Sequence, residues 1–541
     1  MRSYRSLSAA VFAIVFCALV GGFSGRSALA TEDQVPDQLK VFTAALEAVE
    51  QNYVGEVESD RLVYSAISGM LQTLDPHSSF MDPRTYAQMR ERQEGRYYGL
   101  GITIVVVGGD ITVLSLFEGS PAYQKGLRRG DVIAKITGED TKGWTSDQAV
   151  RKLRGPKGTF VDISIKRSGY DDLIPLSVMR DEIHIPTIPA YFMVDGQTGY
   201  VRLQDFAENT NDELGRALKD LSAKGMQRLV LDLRSNPGGP LDQAIKVSNR
   251  FLPRGDMIVY TRGRVANSDQ EYRATEQSDY LSIPTVTLVN RNSASAAEIV
   301  AGALQDHDRA LVVGETTFGK ALVQSVYRVS QGAGVAVTTA RYYTPSGRLI
   351  QRPWDGSFDE YLTYTLRDQN PNREHTADEL KYTDAGRKVY SGGGVEPDKR
   401  FDGPIEGFNP TRFGRMIFNR QMPDSFAQRF TRRGDTRIAP STAREVRALT
   451  SDFVVDDAML ADFKEHLRTH KVKIDEAAWE KDKEFLRAMI RFEIDLDLFS
   501  AADARRNLTK VDPQLQYALG LFGEAERLTQ LTKTRLSKTG Q

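Results

Sequence analysis

Strand-like and helix-like patterns alternate from residue 170 to about residue 401, and this alternation restricts the fold more than any other feature of the sequence. Residues 196–206 and 226–239 form apolar, β-branched runs. Between them, residues 211–225 repeat apolar side chains at helical spacing and end at a glycine. Apolar strands that alternate with helices are typical of a sheet buried between helical layers. The sequence therefore predicts a mixed α/β body over residues 169–403.

Helical patterns flank this body on both sides. Residues 38–70 place apolar side chains at helical spacing with a break around Gly55, which predicts two packed helices. We place them in an N-terminal helical region of residues 31–95. After Pro404 the chain is charged and helix-periodic again. We interpret residues 404–541 as a separate helical extension.

The first thirty residues have the order of an export signal. Arg2 and Arg5 precede an apolar run over residues 7–23, and an Ala-Leu-Ala sequence occupies residues 28–30. This order is typical of a secretory signal peptide, so we expect export to the periplasm or cell envelope and cleavage after residue 30. The alternative is an uncleaved anchor, because the 17 residues of the apolar run approach the roughly 20 that span a bilayer. Membrane association is expected only in that case.

The composition excludes several classes of function. The 541 residues carry 71 basic and 72 acidic side chains, so the chain lacks the positive charge that drives nucleic-acid binding. The only cysteine, Cys17, lies in the export segment, which excludes cysteine catalysis, disulfides and cysteine-ligated zinc from the mature chain. His466 and His470 have the spacing of two ligands on a helix, but no HExxH pattern accompanies them. We expect an exposed charged helix there, and neither a metal nor a cofactor.

The stretch before the α/β body changes to short strands. Two β-branched runs flank a Gly-Gly-Asp turn at residues 108–110, which predicts a hairpin, and a helix capped by Ser146 follows. The string Gly99-Leu100-Gly101-Ile102, the glycines downstream of it and this helix resemble a PDZ domain, which we place at residues 96–168. The resemblance implies a small β-barrel whose Gly-rich turn receives the C-terminal carboxylate of a protein substrate.

One serine of the α/β body is placed for nucleophilic chemistry. A helix is predicted to begin around Ser295, and a serine hydroxyl is a poor nucleophile unless a base accepts its proton. His307 follows twelve residues later, which is about 18 Å along a continuous helix and too far for that base. Lys320 lies beyond a predicted returning strand and a glycine-containing turn, so it can lie beside Ser295. Apolar neighbours would favour its neutral form, and the amide of Gln324 could orient it.

Residues 292–324 resemble the signature of the C-terminal processing peptidases, also called tail-specific proteases. Their Ser-Ala-Ser-Ala and Thr-Phe-Gly-Lys segments match that signature, and further family motifs occur in the expected order over residues 40–401. The resemblance implies Ser295 as the nucleophile, Lys320 as the base and Gln324 as the third member of the site. Ala297 stands where many relatives carry a third serine, a departure that leaves the nucleophile in place.

Two backbone donors are candidates for the oxyanion hole. The N–H of Ala296 lies at the predicted helix start, where the helix dipole favours negative charge. The Gly-rich turn before the helix supplies the second, since Gly238 or Gly239 can bring its backbone close to a substrate carbonyl. The family resemblance favours Gly238. Asp306 matches the family's Gln-Asp pair, and we expect it to form structural hydrogen bonds.

The resemblance implies a ClpP/crotonase-like α/β protease core with an inserted PDZ barrel and helical N- and C-terminal regions. The function that follows is an exported serine endopeptidase that binds protein C-terminal tails at its PDZ domain. One alternative is a PDZ-based scaffold or chaperone with an inactive core. Another is a small-ester hydrolase, which the absence of Gly-x-Ser-x-Gly argues against. Arg154, at the end of the second PDZ helix, is a candidate for gating the protease by domain repositioning.

Overall fold

The computed structural model describes residues 35–167, 169–354, 360–361, 363–367, 373–431 and 450–539. The chain divides into two compact units, residues 1–74 and 75–541. The predicted export signal lies outside the described residues. In the first unit, helices α1 (Val35–Asn52) and α2 (Ser59–Gln72) are separated near Gly55, as the sequence predicts.

The second unit contains all the strands that the structure describes. In chain order they are β1 (Ser79–Met81), β2 (Arg96–Gly99), β3 (Ile102–Val107), β4 (Asp110–Leu116), β5 (Val132–Ile136), β6 (Glu139–Asp140), β7 (Phe160–Lys166), β8 (Ile174–Met179), β9 (Asp181–His184), β10 (Ala190–Met193), β11 (Thr198–Arg202), β12 (Arg228–Asp232), β13 (Met257–Arg262), β14 (Gln270–Arg273), β15 (Thr285–Val289), β16 (Leu311–Gly314), β17 (Leu322–Arg328), β18 (Gly334–Tyr343), β19 (Leu380–Tyr382), β20 (Lys388–Tyr390) and β21 (Lys399–Arg400). Its α-helices are α3 (Pro83–Glu94), α4 (Pro121–Gln124), α5 (Ser146–Leu153), α6 (Thr210–Ala223), α7 (Leu241–Asn249), α8 (Ala296–Asp306), α9 (Arg412–Asn419), α10 (Met422–Thr431), α11 (Asp457–Thr469), α12 (Glu476–Leu498), α13 (Ala501–Thr509), α14 (Pro513–Leu519) and α15 (Phe522–Thr539).

A sheet in the order β10-β11-β12-β15-β16-β21 forms the centre of this unit. The strands from β11 onward are parallel, and β10 is antiparallel to β11. Leu231 points to the face covered by α6, α7 and α8, whereas its neighbour Val230 points to the face covered by α14 and α15. Burial on both faces explains why these strands are nearly continuous apolar runs in the sequence.

A second, antiparallel sheet is built around β18. This strand pairs with β1, β13 and β17, and β14 extends the sheet beyond β13. The pairing of β17 with β18 shifts register between Val323 and Gln324. A bulge of this kind re-aims side chains. The sheet therefore joins residues 79–81 to residues 322–328, although they are distant in sequence.

The short strands before the α/β body form a domain of their own. The predicted hairpin is present as β3 and β4, and the sheet order is β3-β4-β5-β7-β8 with β6 paired to β5. Helices α4 and α5 contribute to its apolar core. Strands β2 and β9 pair antiparallel where the chain enters and leaves this domain, so it is inserted into the larger unit.

Two local predictions are corrected. The cap of α5 is Thr145 rather than Ser146, because the Thr145 side chain accepts the Gln148 N–H while Ser146 already has helical geometry. His466 on α11 is buried rather than exposed, and its ring packs against Phe426 and Phe463.

The C-terminal helices fall into two groups. Helices α9 to α13 form a core of their own around residues such as Phe426, Phe463 and Ile490. In contrast, α14 and α15 bury Leu515, Phe522 and Leu528 against the central sheet. The prediction of a separate extension is therefore wrong for residues 513–539, which pack on the central sheet. The sequence could not show this, because a helical pattern indicates that a helix has an apolar face but not which element covers that face. The mixed α/β core with an inserted strand-rich domain and helical ends is confirmed.

Candidate active site

Three candidate residues follow the carboxyl ends of adjacent parallel strands. Gly238, Ser295 and Lys320 come six residues after the last residue of β12, β15 and β16, respectively. Carboxyl ends of neighbouring parallel strands meet at one edge of a sheet, which is where α/β proteins bind ligands. All three residues, together with Gln324, line one cavity of about 430 Å³.

The cavity is otherwise mainly apolar. Its apolar lining includes Met81, Met89, Phe206, Ile299, Leu322, Val323, Ala336 and Tyr342. Arg92 and Asp205, which form an ion pair with a 2.7 Å separation, also line it. The space beside Ser295 is therefore suited to an apolar side chain of a substrate.

Ser295 lies immediately before α8 in a strained backbone conformation. Its φ is 54° and its ψ is −116°, and a positive φ costs a residue other than glycine on the order of 1–3 kcal/mol. The Ser295 N–H donates to the Glu298 carboxylate at 2.8 Å, which helps to hold this conformation. The prediction that a helix begins around Ser295 is confirmed.

The Lys320 side chain is half-buried, and the charges of two carboxylates act on it. Burial lowers its pKa, whereas the negative charges of Glu298 and Asp75 act in the opposite direction; the net pKa lies below that of an exposed lysine. Lys320 Nζ donates to Gln324 Oε1 at 3.1 Å. The structure thus places Lys320 where a larger fraction is neutral than on the surface.

Glu298 is a residue of the site that sequence reasoning missed. It is fully buried on α8, and its carboxylate accepts the N–H of Ser295, Lys320 and Gly319. One side chain therefore joins the turn that carries the serine to the loop that carries the lysine. The signal was present in the sequence, because Ser295 and Glu298 have the S-x-x-E spacing of a helix-capping motif.

His77 is a second residue that sequence reasoning did not assign to the site. Its backbone carbonyl accepts Gln324 Nε2–H at 2.5 Å, and its ring nitrogen Nε2 lies 2.6 Å from the Tyr361 hydroxyl. Burial and the nearby charge of Lys320 lower the pKa of His77 to about 4. The imidazole is therefore neutral at neutral pH.

Gly238 lies directly against the serine turn. A Cβ at Gly238 would lie 2.7 Å from Ser295 Cβ and 2.8 Å from the Ala296 nitrogen, so only glycine allows the backbone to come this close to the serine turn. Its φ of 92° also favours glycine. The Gly238 N–H donates to Asn236 Oδ1 at 2.8 Å in this structure. A Cβ at the alternative, Gly239, would instead meet the Phe206 carbonyl oxygen at 2.2 Å.

His307 and Asp306, which were not expected to take part in catalysis, lie at the C-terminal end of α8. His307 caps the far end of α8, where Nδ1 lies 2.7 Å from Asp384 Oδ2 and Nε2 lies 2.6 Å from the Met257 carbonyl oxygen. Asp306 accepts hydrogen bonds from Arg348 and from Ser346. These contacts are structural, as the sequence suggests for Asp306.

The Gly-rich string of residues 99–102 forms a tight turn before the edge strand of its sheet. Gly101 has a φ of 82°, and a Cβ there would lie 2.2 Å from Ser120 Cβ. Strand β3 follows directly and pairs only with β4 among the described strands. An edge strand next to a Gly-rich turn and a helix, α5, is the arrangement that receives an extended peptide.

Arg154 ends α5 and contacts helix α3, which precedes the strands of this sheet. Its Nη1 donates to Glu91 Oε2 on α3 at 2.5 Å, and its guanidinium carbon lies 4.7 Å from the centre of the Tyr97 ring. Helix α3 also contributes Met89, Arg92 and Gln93 to the cavity. Arg154 therefore links the PDZ-like domain to an element that lines the candidate active site.

Comparison with known proteins decides the family. Residues 197–355 match Peptidase family S41, residues 88–166 match the PDZ domain family, and residues 24–85 match the Activating protease CtpB N-terminal domain. The carboxy-terminal-processing protease of Bartonella bacilliformis is 41% identical over 324 residues, which cover 59% of this chain and 74% of that protein. The chain belongs to the family of carboxy-terminal processing proteases.

Two further proteins are similar to a comparable share of this carboxy-terminal processing protease. The carboxy-terminal processing protease CtpA of Bacillus subtilis is 36% identical over 329 residues, which cover 61% of this chain and 69% of that protein. The solved photosystem II D1 C-terminal processing protease is 31% identical and covers 60% of this chain and 91% of its own, with a TM-score of 0.33.

The family assignment confirms that this protein is a serine-type peptidase with a PDZ domain, and it does not favour the inactive scaffold. The Peptidase family S41 match contains Gly238, Ser295, Lys320 and Gln324, whereas His77 lies outside it. Within the described ranges, the carboxy-terminal processing protease has no helix whose length and apolar character suit a membrane crossing.

Proposed function

We propose that this protease is an exported endopeptidase in which Ser295 is the nucleophile and Lys320 is the general base. The observation that carries the proposal is that Ser295 and the half-buried Lys320 line one cavity, with Gln324 holding the amine. Export to the periplasm or cell envelope is supported by the charged, apolar and small-residue order of residues 1–30. No cofactor takes part in the proposed reaction.

The proposed reaction proceeds in two halves. Neutral Lys320 takes the proton of the Ser295 hydroxyl while Oγ forms a bond to the scissile carbonyl carbon. The C–N bond then breaks, and the Lys320 ammonium returns the proton to the leaving amine. In the second half, Lys320 takes a proton from water while the water oxygen forms a bond to the acyl carbon. The bond between that carbon and Ser295 Oγ then breaks, and the Lys320 ammonium returns the proton to Oγ. Gln324 Oε1 accepts an N–H of Lys320 throughout, which orients the amine.

The oxyanion that forms in each half of the reaction is assigned to backbone donors around Gly238. The Ala296 nitrogen lies at the start of α8 and close to Gly238, because the backbone at Gly238 approaches the serine turn more closely than a residue with a Cβ could. The Gly238 N–H is the second donor, after it exchanges its bond to Asn236 for one to the oxyanion. A donor of this kind contributes about 2.7–4 kcal/mol to transition-state stabilisation.

A comparison of two substrates tests the class of activity. We expect the mature protein to cleave an unfolded protein and to hydrolyse a small ester slowly. The reason is that most of the binding surface, namely the PDZ edge strand and the apolar cavity, is built for a peptide. Rapid hydrolysis of the ester without cleavage of the unfolded protein would show that the peptide-cleaving function is wrong.

Tail selection is the first prediction of this proposal. Substrates with a free, apolar C-terminus should be cut faster than the same chains ending in a charged residue or an amide, because the turn at residues 99–102 is assigned to the terminal carboxylate. Initial cleavage rates of matched substrates at one concentration measure the difference. Equal rates for free and amidated tails would exclude selection by the carboxylate.

A second prediction concerns gating by Arg154. Arg154→Ala should lower the turnover of a long unfolded substrate by up to about fivefold, because the pair with Glu91 is half-exposed and such pairs contribute at most about 1 kcal/mol. Tail-peptide affinity, measured by fluorescence anisotropy on the Ser295→Ala background, should stay nearly unchanged.

Lys152→Ala is the matched control for this experiment. Lys152 is on the same helix, but its partner, Glu139, is on β6 and not on the cavity-lining helix α3, so turnover should not change. A fall in affinity that matches the fall in turnover would assign Arg154 to peptide binding. No change in either quantity would show that Arg154 has no gating role.

A further inference from the structure

A turn at residues 75–78 contacts Gln324, the residue that holds the candidate base, from a distant part of the chain. The His77 carbonyl oxygen accepts Gln324 Nε2–H at 2.5 Å, although 247 positions separate the two residues. On its other side, Gln324 Oε1 accepts from Lys320 Nζ at 3.1 Å. The side chain of Gln324 is thus held between a backbone carbonyl and the amine.

The His77 carbonyl determines which end of the Gln324 amide faces the lysine. A carbonyl oxygen can only accept, so it requires the NH₂ end of the amide and leaves Oε1 for Lys320. The reversed amide would place two oxygens against each other at one end and two N–H donors at the other. With Oε1 fixed as an acceptor, a neutral Lys320 amine directs one N–H to Gln324. Its lone pair stays available for the Ser295 proton.

One carboxylate closes the turn that positions this carbonyl. Asp75 Oδ1 accepts the N–H of His77 and of Ser78, both at 2.8 Å, and Oδ2 accepts the Ser78 hydroxyl at 2.6 Å. The Ser78 hydroxyl oxygen in turn accepts the Thr338 N–H of β18 at 3.1 Å. Because β18 is the pairing partner of β17, Asp75 fixes the turn to the strand beside Gln324.

The charge of Asp75 also acts on the lysine. Burial raises the pKa of Asp75, but the hydrogen bonds from Ser78 and His77 outweigh it and the net pKa is lowered, so the side chain is ionised at neutral pH. Asp75 and Glu298 are the two carboxylates that oppose the effect of burial on the Lys320 pKa. The third titratable neighbour, His77, is neutral there because its pKa is about 4.

We propose that Asp75 is a positioning residue for the base: it fixes the turn whose His77 carbonyl orients Gln324, and through Gln324 it holds the Lys320 amine toward Ser295. Asp75 touches neither the substrate nor the reacting atoms. The inference rests on the proposed role of Lys320. It extends the site to a segment that lies outside the Peptidase family S41 match.

Asp75→Asn tests this role with little change in side-chain size. The amide keeps one acceptor oxygen but cannot accept the Ser78 hydroxyl at its nitrogen, so the turn loosens and loses its charge. We expect kcat to fall about tenfold with KM nearly unchanged, because a base displaced by a fraction of an ångström catalyses poorly. The acid limb of the kcat/KM profile should move to lower pH, since one of the charges that raise the Lys320 pKa is gone.

Asp82→Asn is the matched control. Asp82 closes a similar turn by accepting the Thr85 N–H at 2.7 Å and caps α3, so the variant should lose some stability but keep the wild-type pH profile. The combination Asp75→Asn with Gln324→Ala should be scarcely slower than Gln324→Ala alone, because both substitutions remove the same orientation.

Two results would overturn the inference. One is a pH profile and kcat of Asp75→Asn that match those of Asp82→Asn. The other is a full additional loss in the double variant. Ser295→Ala and Lys320→Ala, assayed alongside, separate this inference from the proposed function. If both remain active the proposed mechanism fails, whereas if both are inactive and Asp75→Asn resembles the control, only the role of Asp75 fails.

Discussion

Replacing Lys320 by alanine or arginine is expected to abolish proteolysis while the protein stays folded. Alanine provides no base, and arginine remains protonated at any usable pH, so neither can accept the Ser295 proton. General-base catalysis contributes about 10²–10⁴ in rate, so we expect a loss of at least about a hundredfold. Cleavage of an unfolded protein measures the activity, and thermal melting shows that both variants are folded.

His307→Ala is the control for this experiment. His307 hydrogen-bonds Asp384 and the Met257 carbonyl at the far end of α8 and does not line the cavity. The variant should keep most of the activity per folded molecule. Inactive His307→Ala together with active Lys320→Ala would reverse the assignment of the base.

The pH dependence of the unmodified protease follows from the same lysine. Lys320 acts as a base only when neutral, so kcat/KM should rise with pH through the pKa of this residue and be lost as pH falls below it. Burial places that pKa below the value of an exposed lysine. An acid limb at the ordinary lysine pKa or above it would contradict the proposed environment.

Leu528→Ala on α15 should lower the free energy of unfolding strongly. Leu528 is 6% exposed and packs against the central sheet, and replacing a buried leucine by alanine costs about 2–5 kcal/mol in the free energy of unfolding. The same exchange at Leu531, which is 47% exposed on the same helix, should change it by less than about 0.5 kcal/mol.

Urea unfolding monitored by circular dichroism measures both variants of α15. The expected result is a lower midpoint for Leu528→Ala and an unchanged midpoint for Leu531→Ala. Equal effects of the two exchanges would show that α15 does not cover the sheet. The result bears on the active site as well, because Asp512, which caps α14, pairs with the buried Arg234 in the Gly-rich turn before Gly238.

The sequence contained enough information to bring Ser295 and Lys320 together. A strand, a helix and a returning strand form a βαβ unit, and the segments after its two parallel strands, β15 and β16, must meet at one edge of the sheet. The same rule places Gly238, which follows the adjacent strand β12. This part of the site depends on the local strand and helix patterns and on the geometry of one βαβ unit. Both can be inferred from a single sequence.

The contribution of residues 75–78 was not predictable in this way. The bond from Gln324 to the His77 carbonyl joins parts of the chain that no local pattern relates. The contact also leaves no signal in the residue type at position 77, because every amino acid carries the backbone carbonyl that accepts this bond. The Asp-Pro-His-Ser sequence at residues 75–78 indicates a turn, but the partner of that turn becomes visible only when β1 and β17 are both paired with β18.

The oxyanion donors show a different limit of sequence reasoning. A glycine at position 238 indicates a place where the backbone comes close to something, and the structure identifies that neighbour as the Ser295 turn. The hydrogen bond from its N–H to Asn236 depends on the rotamer of a side chain two residues away, which composition and spacing do not determine. The C-terminal helices show the same limit. Their apolar periodicity predicted the helices, but it did not predict that α14 and α15 are buried against the central sheet.

Cleavage of an unfolded protein with a free apolar C-terminus by Ser295→Ala and by Ser293→Ala tests the central claim most directly. Ser293 lies two residues earlier on the same turn, and its fully buried hydroxyl donates to the Leu233 carbonyl at 2.8 Å. Assayed below the melting temperature of both variants, Ser293→Ala should cleave and Ser295→Ala should bind the substrate without cleaving it. Cleavage by Ser295→Ala at the wild-type rate would contradict the assignment of Ser295 as the nucleophile.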